Sequence, residues 1–237
     1  MSTRRVLDLG HCGKIPVDTL FQLHLETRNG HMITLHQSKM ARSLGSWVYD
    51  GASVLARYIE AYVIDSECGE DGSKTNERPL TGKSVVELGA GTGIVGILMG
   101  YYGADVITTD LETLVPLIQY NIERNAHALG GRVRAEALCW GDDLRANFPR
   151  NVDYIILANC VYYEGVLELL AKTTKQLAGK QSVVFACYEE RIPEIRKLIE
   201  KWHEIVGEFF AIEEIPREYY RCMAELDCIR IVKMKAK

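Results

Sequence analysis

From residue 84 onward, short apolar runs alternate with longer stretches in which apolar residues recur every three or four positions. The runs cover 84–88, 105–108, 132–138, 154–157 and 182–187, and helical periodicity fills 93–102, 111–125, 165–177 and 193–206. Short, largely apolar runs of this kind suit the buried strands of a parallel sheet, and each intervening helix is long enough to cross back over it. Strand and helix in strict alternation predict right-handed βαβ units and a doubly wound, mostly parallel α/β sheet. The tail breaks the rhythm. Residues 208–215 and 226–234 read as two strands around a polar turn near 217–221 with no helix between them, so they pair antiparallel or lie apart.

The first 80 residues follow a different pattern. Residues 20–26 alternate apolar and polar, Asn29-Gly30 predicts a two-residue type I′ turn, and 32–35 resumes an apolar strand, giving a hairpin over 20–36. Val54, Leu55, Tyr58, Ile59, Tyr62 and Val63 fall at helical spacing and predict an amphipathic helix over 49–64, with Asp50 near its start. The polar, glycine-containing stretch 65–80 predicts a surface loop.

Length and composition narrow the class. With 237 residues and 47% hydrophobic content, the chain suits one core, divided into an N-terminal extension and loop (1–80) and an α/β core (81–237). A net charge of -4 lacks the basic excess of a nucleic-acid binder. Seven cysteines without a C-x-x-C pair read as reduced thiols, so a cytoplasmic location is expected. The N-terminus shows no apolar signal region and no window reaches about 18 uninterrupted apolar residues, so neither export nor a membrane partner is expected. A monomer is expected.

The strongest chemical signal is Val85-Val-Glu-Leu-Gly-Ala-Gly-Thr-Gly93, a strand running directly into a G-x-G-x-G turn and then a helix. Glycines let backbone approach a ligand without a Cβ clash, and the helix N-terminus offers free N–H groups. Gly91, Gly93 and Gly96 also spell G-x-G-x-x-G, but in a dinucleotide site the first glycine follows the strand directly, whereas this strand ends at Leu88 and Gly89 opens the turn. Asp110 closes the next strand, where a carboxylate can accept hydrogen bonds from both hydroxyls of a ribose or cap the following helix. After the fourth strand come Ala158-Asn-Cys-Val-Tyr-Tyr-Glu164, at the carboxyl end that flanks the ligand crevice of an open parallel sheet. Asn159, Tyr162 and Tyr163 can orient an amine there, or cap and pack under the next helix. Trp140 can stack on a base and Trp47 can stand at a pocket mouth, although a tryptophan alone is commonly core. The six histidines show no metal spacing, and no metal is assigned.

Taken with Trp47-Val-Tyr-Asp50, Gly103-Ala-Asp-Val106, Thr109-Asp-Leu-Glu112, Trp140-Gly141, Tyr162-Tyr-Glu164 and Cys187-Tyr-Glu-Glu-Arg191, the glycine turn resembles the family-16 protein methyltransferases, from about residue 21 to 232. Within them the chain is most similar to the branch that acts on valosin-containing protein. The resemblance implies a seven-stranded Rossmann-like sheet with an antiparallel final strand and S-adenosylmethionine as cofactor. It also implies a partner protein with an accessible lysine, such as an AAA ATPase of the valosin-containing-protein kind. Its cofactor contacts fall on Trp47, Glu87, Gly89, Ala90, Gly91, Gly93, Asp110, Trp140 and Ala158, and its catalytic positions on Asn159, Tyr162 and Tyr163.

In one respect the chain departs from the family's D-x-x-Y motif, which here reads Asn159-Cys-Val-Tyr162. Asparagine keeps a carbonyl acceptor but loses the charge that would hold a lysine ammonium, so lysine binding is expected to lean on the tyrosines. The hairpin at 20–36 and the helix at 49–64 are expected to cover the cofactor and shape the substrate entrance. Two alternatives stand beside protein-lysine methylation: a cofactor-fold protein that acts by binding a partner, and a methyltransferase for small molecules.

Overall fold

The computed structural model describes residues 6–39, 43–64, 66–67, 78–146, 148–223 and 227–237. Most of the loop expected over 65–80, including its run of charges, lies outside the described residues.

Two small hairpins come first, β1 (Val6–Asp8) with β2 (Lys14–Pro16) and β3 (Phe21–Glu26) with β4 (Met32–Gln37). The first has no counterpart in the sequence reading. It buries Leu7, Leu9, Cys12 and Ile15 against Leu117 and Tyr120. The second hairpin pairs from Phe21↔Gln37 to Glu26↔Met32. Its turn differs from the type I′ expectation. That type needs positive φ at both central residues, whereas Gly30 has φ +76° and the only described non-glycine residues at positive φ are Asn151 and Asn159. Thr27 N–H instead donates to His31 O at 2.7 Å across a three-residue loop ending in left-handed Gly30.

Helix α1 (Asp50–Tyr58) widens into a π-helical turn, Ile59–Ile64. Asp50 provides no side-chain cap. Glu60 is turned inward in that turn, where it accepts the Arg28 N–H (3.0 Å) and the Tyr102 hydroxyl (2.7 Å) and pairs with Arg57. The α/β core then runs β5 (Ser84–Leu88), α2 (Ile94–Tyr101), β6 (Asp105–Asp110), α3 (Val115–Asn125), β7 (Val133–Ala137) and β8 (Val152–Ala158). It continues through α4 (Leu167–Leu177), β9 (Ala178–Glu189), α5 (Pro193–Gly207), β10 (Phe210–Glu214) and β11 (Ile229–Ala236).

The seven strands lie in the order β10-β11-β9-β8-β5-β6-β7, with β5 paired in parallel to both β6 and β8. Chain order reverses on either side of β5, which makes its carboxyl end the switch point where an open sheet leaves a crevice. Strand β11 runs antiparallel to both β9 and β10.

Strand alternation sends Val85 to one apolar layer with α1 and α2, and Val86 and Leu88 to the other with α4 and α5. Trp202 anchors the second layer, fully buried and donating its indole N–H to Tyr188 Oη at 2.9 Å. Hairpin β3–β4 is tied to α3 by two asparagines one turn apart. Asn121 and Asn125 accept the His36 and Thr34 N–H groups and donate back to the same residues' carbonyls, so side chains satisfy that strand's outer edge.

Candidate active site

A cavity of about 740 Å³ opens over the carboxyl ends of β5, β6, β8 and β9, within the roughly 300–1,000 Å³ range of small-ligand pockets. Its floor is the glycine turn. Gly89 (φ +63°) and Gly91 (φ +58°) adopt left-handed backbone that only glycine takes without strain. A Cβ on Gly89 would lie 2.8 Å from Trp140 Cζ2, and one on Gly91 would lie 2.7 Å from Gly45 O. Ala90 completes this floor, its N–H donating to Thr109 O at 2.9 Å. Gly93 starts α2 at φ +82° but lies off the cavity wall.

Asp110 reaches the cavity from the end of β6. Its Oδ2 accepts the Gly91 N–H at 2.8 Å and its Oδ1 the Leu111 N–H at 2.7 Å, so it locks the glycine turn to the next strand. Burial pushes its carboxyl above the ordinary range, and these two bonds oppose that rise. Each oxygen keeps a second lone pair for a ligand hydroxyl. The residue therefore combines the turn-locking role with exposure to the cavity.

Glu87 is not on the wall. It shares the face of β5 with Val85, lies fully buried under α2, and accepts the Gly96 N–H at 3.0 Å. Burial pushes its carboxyl up to about 8. Strand alternation thus turns Glu87, expected as a cofactor contact, away from the cavity and under α2.

Trp47 and Trp140 both line the cavity. Trp47 sits edge-on to Phe21 and under Lys39 Nζ, which is 4.3 Å from the ring centroid. Trp140 lies 6.5 Å, centroid to centroid, from Tyr162. Ala158, Asn159 and Tyr162 line the far wall. Tyr163, also expected there, is 62% exposed and lies against Gly165 outside the cavity. Burial raises the Tyr162 phenol above its ordinary value, so it stays neutral as a donor or acceptor.

Asn159 has φ +57°, a left-handed conformation that asparagine tolerates better than most side chains. Its backbone N–H continues the sheet to Cys187 O at 2.9 Å, and its Nδ2 donates to Glu189 Oε1 at 2.7 Å. Its Oδ1 is closed from solvent and has no hydrogen-bond partner.

Glu189 was missed as a site residue, as were Gly51, Arg191 and the N-terminal residues His11 and Cys12, all of which except Gly51 line the cavity. Glu189 Oε1 also accepts the Gly51 N–H at 2.7 Å, and its Oε2 meets Arg191 Nε at 2.6 Å. Arg191 reaches on to Asp50 Oδ2 at 3.2 Å. A glycine one residue into a helix was one available signal, since alanine suits that position better by local propensity. The hairpin β3–β4 does not line the cavity, contrary to expectation. That task falls to the 43–52 segment and the β1–β2 turn.

With this geometry in place, residues 27–210 match the sequence profile of a family described as lysine methyltransferase. The chain belongs to the lysine methyltransferase family. It is 36% identical over 163 residues to mouse EEF1A lysine methyltransferase 3, covering 68% of this chain and 63% of that relative. It is 33% identical over 190 residues to mouse protein-lysine methyltransferase METTL21E, covering 78% and 70%. The chain thus spans slightly less than two thirds of the first relative's length. In fold the chain is similar to the T. thermophilus 16S rRNA N2 G1207 methyltransferase RsmC, solved with AdoMet and guanosine. The TM-score is 0.62 at 17% identity, over 92% of this chain and 51% of that one. The seven-stranded sheet is therefore that of the Rossmann-like methyltransferases, and S-adenosylmethionine is the cofactor that goes with family and fold.

Proposed function

We propose that this chain transfers a methyl group from S-adenosylmethionine to a lysine side chain of another protein, with Asn159 as the acceptor that orients the attacking amine. The observation that carries this reading is Asn159 on the cavity wall, with an Oδ1 that has no hydrogen-bond partner and is closed off beside Gly51. When bound, S-adenosylmethionine supplies a methyl group activated on a sulfonium. The residues around the cavity fit such a group: Gly89, Ala90 and Gly91 leave its floor free of bulky side chains, Asp110 offers lone pairs to ribose hydroxyls, and Trp47, Trp140 and Ala158 supply apolar wall.

A lysine amine has an ordinary pKa of about 10.4 and must shed its proton before it attacks. A neutral amide acceptor beside the amine does not favour the charged form as a carboxylate would, so the asparagine suits that step. Trp140 and Tyr162 offer aromatic faces to the arriving side chain. The expected partner is a folded protein. An AAA ATPase of the valosin-containing-protein kind is the first target proposed, and the elongation factor named for the mouse relative is the second. Action as a monomer in the cytoplasm completes the reading.

Incubation with labelled cofactor and a cell extract tests it: label is expected in protein, and label confined to small metabolites would sink it. Two variants assign the site. Asn159→Gly keeps the left-handed backbone without strain and removes the amide, and is expected to lower turnover about tenfold, the worth of one neutral hydrogen bond. Unchanged turnover would make the β8 motif structural. Asp110→Ala is expected to weaken S-adenosylmethionine by about 1–3 kcal/mol in calorimetry. An unchanged dissociation constant would leave Asp110 only its turn-locking role.

A further inference from the structure

We infer that Asn159 and Glu189 act as one unit, in which Glu189 is a positioning residue that fixes which way the Asn159 amide faces at the end of β8. The inference rests on the methyl-transfer reading above and adds the device that makes an asparagine workable where the family motif has aspartate.

The two ends of an asparagine amide are nearly equal in shape, so hydrogen bonding decides which way it faces. Glu189 decides it here. A carboxylate is an acceptor only, so Asn159 must turn its Nδ2 toward Glu189 Oε1, 2.7 Å away. A reversed amide would set two acceptors against each other in a half-buried site. Glu189 is itself immobilised, with Gly51 N–H on the same Oε1 and Arg191 on Oε2, and its side chain is only 6% exposed. Turning Nδ2 to Glu189 leaves Oδ1 without a hydrogen-bond partner, closed off beside Gly51.

The charge lost at position 159 is therefore present one side chain away, balanced by Arg191. This reverses a simple expectation. Asn159→Asp would not restore the family site. It would set two carboxyl groups at the present 2.7 Å contact, where both cannot ionise freely and one proton is shared between them. While that proton is held, the introduced carboxyl group can donate to Glu189 and keep the geometry of the amide. Once it is lost, the arrangement fails. The other charged and titratable groups facing the pair are Arg191 and Asp50 at the mouth, Tyr49 ahead of α1, and Cys187 and Cys228 from the sheet. They are common to all the variants compared.

The experiment compares the full chain as wild type, N159D, E189A and N159D/E189A, reading methyl transfer to one protein substrate, S-adenosylmethionine affinity and urea stability, each from pH 5.5 to 9. E189A is expected to lower kcat about tenfold with KM and cofactor affinity unchanged, because the amide is free to reverse. For N159D the rate relative to wild type is expected to fall as pH rises, by up to about tenfold per pH unit above the pair's titration. A pair that holds a proton only when folded also loses stability as pH rises. N159D should therefore show an extra decline relative to wild type, and N159D/E189A should not.

Wild-type kcat in E189A, or N159D curves parallel to wild type in both rate and stability, would overturn the inference. If wild type labels no protein, the methyl-transfer reading fails by itself. The stability curves of N159D and N159D/E189A then still decide whether the two residues are coupled.

Discussion

Gly51→Ala is expected to lower methyl transfer about a hundredfold, the cost of displacing a reacting group by roughly an ångström, while the protein stays folded and binds S-adenosylmethionine. In most helices this exchange stabilises by about 0.5–1 kcal/mol, because glycine loses more backbone freedom on folding than alanine. Gly51 is the second residue of α1 and has no positive φ, so nothing in its backbone forbids alanine. The obstacle is across the space: a Cβ there would lie 2.6 Å from Asn159 Oδ1, 3.0 Å from its Nδ2 and 3.1 Å from Cys187 Sγ. Asn159 cannot yield by rotating, since its Nδ2 is held by Glu189 and its backbone by the sheet. The added methyl thus strikes the one acceptor proposed to orient the amine. Deleting the amide leaves a gap that water can enter, whereas adding a methyl moves the groups around it, so Gly51→Ala should be the more damaging change. Steady-state turnover, urea melts and calorimetry together check this. A variant with wild-type turnover would remove Asn159 Oδ1 from the reaction.

Why Gly51 escaped the sequence reading, while the sheet did not, follows from what each depends on. Strands β5 and β8 are buried on both faces, so their residues form short, mostly apolar runs, and the helices between them carry a stripe that must cover the sheet. That information is local. Boundaries shifted where a local pattern met a tertiary one. Residues 111–114 carry helical periodicity but form the turn that Asp110 fastens, so α3 starts at Val115. Strand β9 extends to Ala178–Glu189 because β8 and β11 flank it with open ladders on both sides.

The Gly51–Glu189 contact spans 138 positions and joins a helix start to a strand end, and no periodicity encodes it. Cys187-Tyr-Glu-Glu-Arg191 stood out as a family mark without a role, and only the crossing of α1 over β9 supplies one. The placement of Glu87 was legible in principle. Period-2 alternation puts it with Val85 and opposite Val86 and Leu88, hence under α2 and away from the crevice.

That burial has a large consequence for stability. Glu87→Gln is expected to make the protein more stable than wild type at pH 8 and about equal to it near pH 5. In the folded chain the Glu87 carboxyl is held up to about 8 by burial, against an ordinary value of 4.5. Between those values the unfolded chain has released its proton and the folded chain has kept it. Stability rises with pH only where the unfolded state binds more protons, so here it falls as pH climbs from about 4.5 to 8. The full loss by pH 8 is on the order of 4 kcal/mol, a large part of a domain's net stability of about 5–15 kcal/mol.

Glutamine is close in shape to the protonated acid and does not titrate. It can accept the same Gly96 N–H, and its amide nitrogen takes the place of Oε1, which has no partner in the native protein either. The hydrogen-bonding deficit is therefore similar in both, and only the proton linkage differs. Urea melts of the two proteins at pH 5, 6.5 and 8 should show a gap that opens toward alkaline pH. S-adenosylmethionine affinity should be the same in both, because Glu87 does not line the cavity. A gap independent of pH would mean that Glu87 is already ionised in the fold, and a loss of cofactor affinity in Glu87→Gln would return it to the binding site from which its place under α2 removes it.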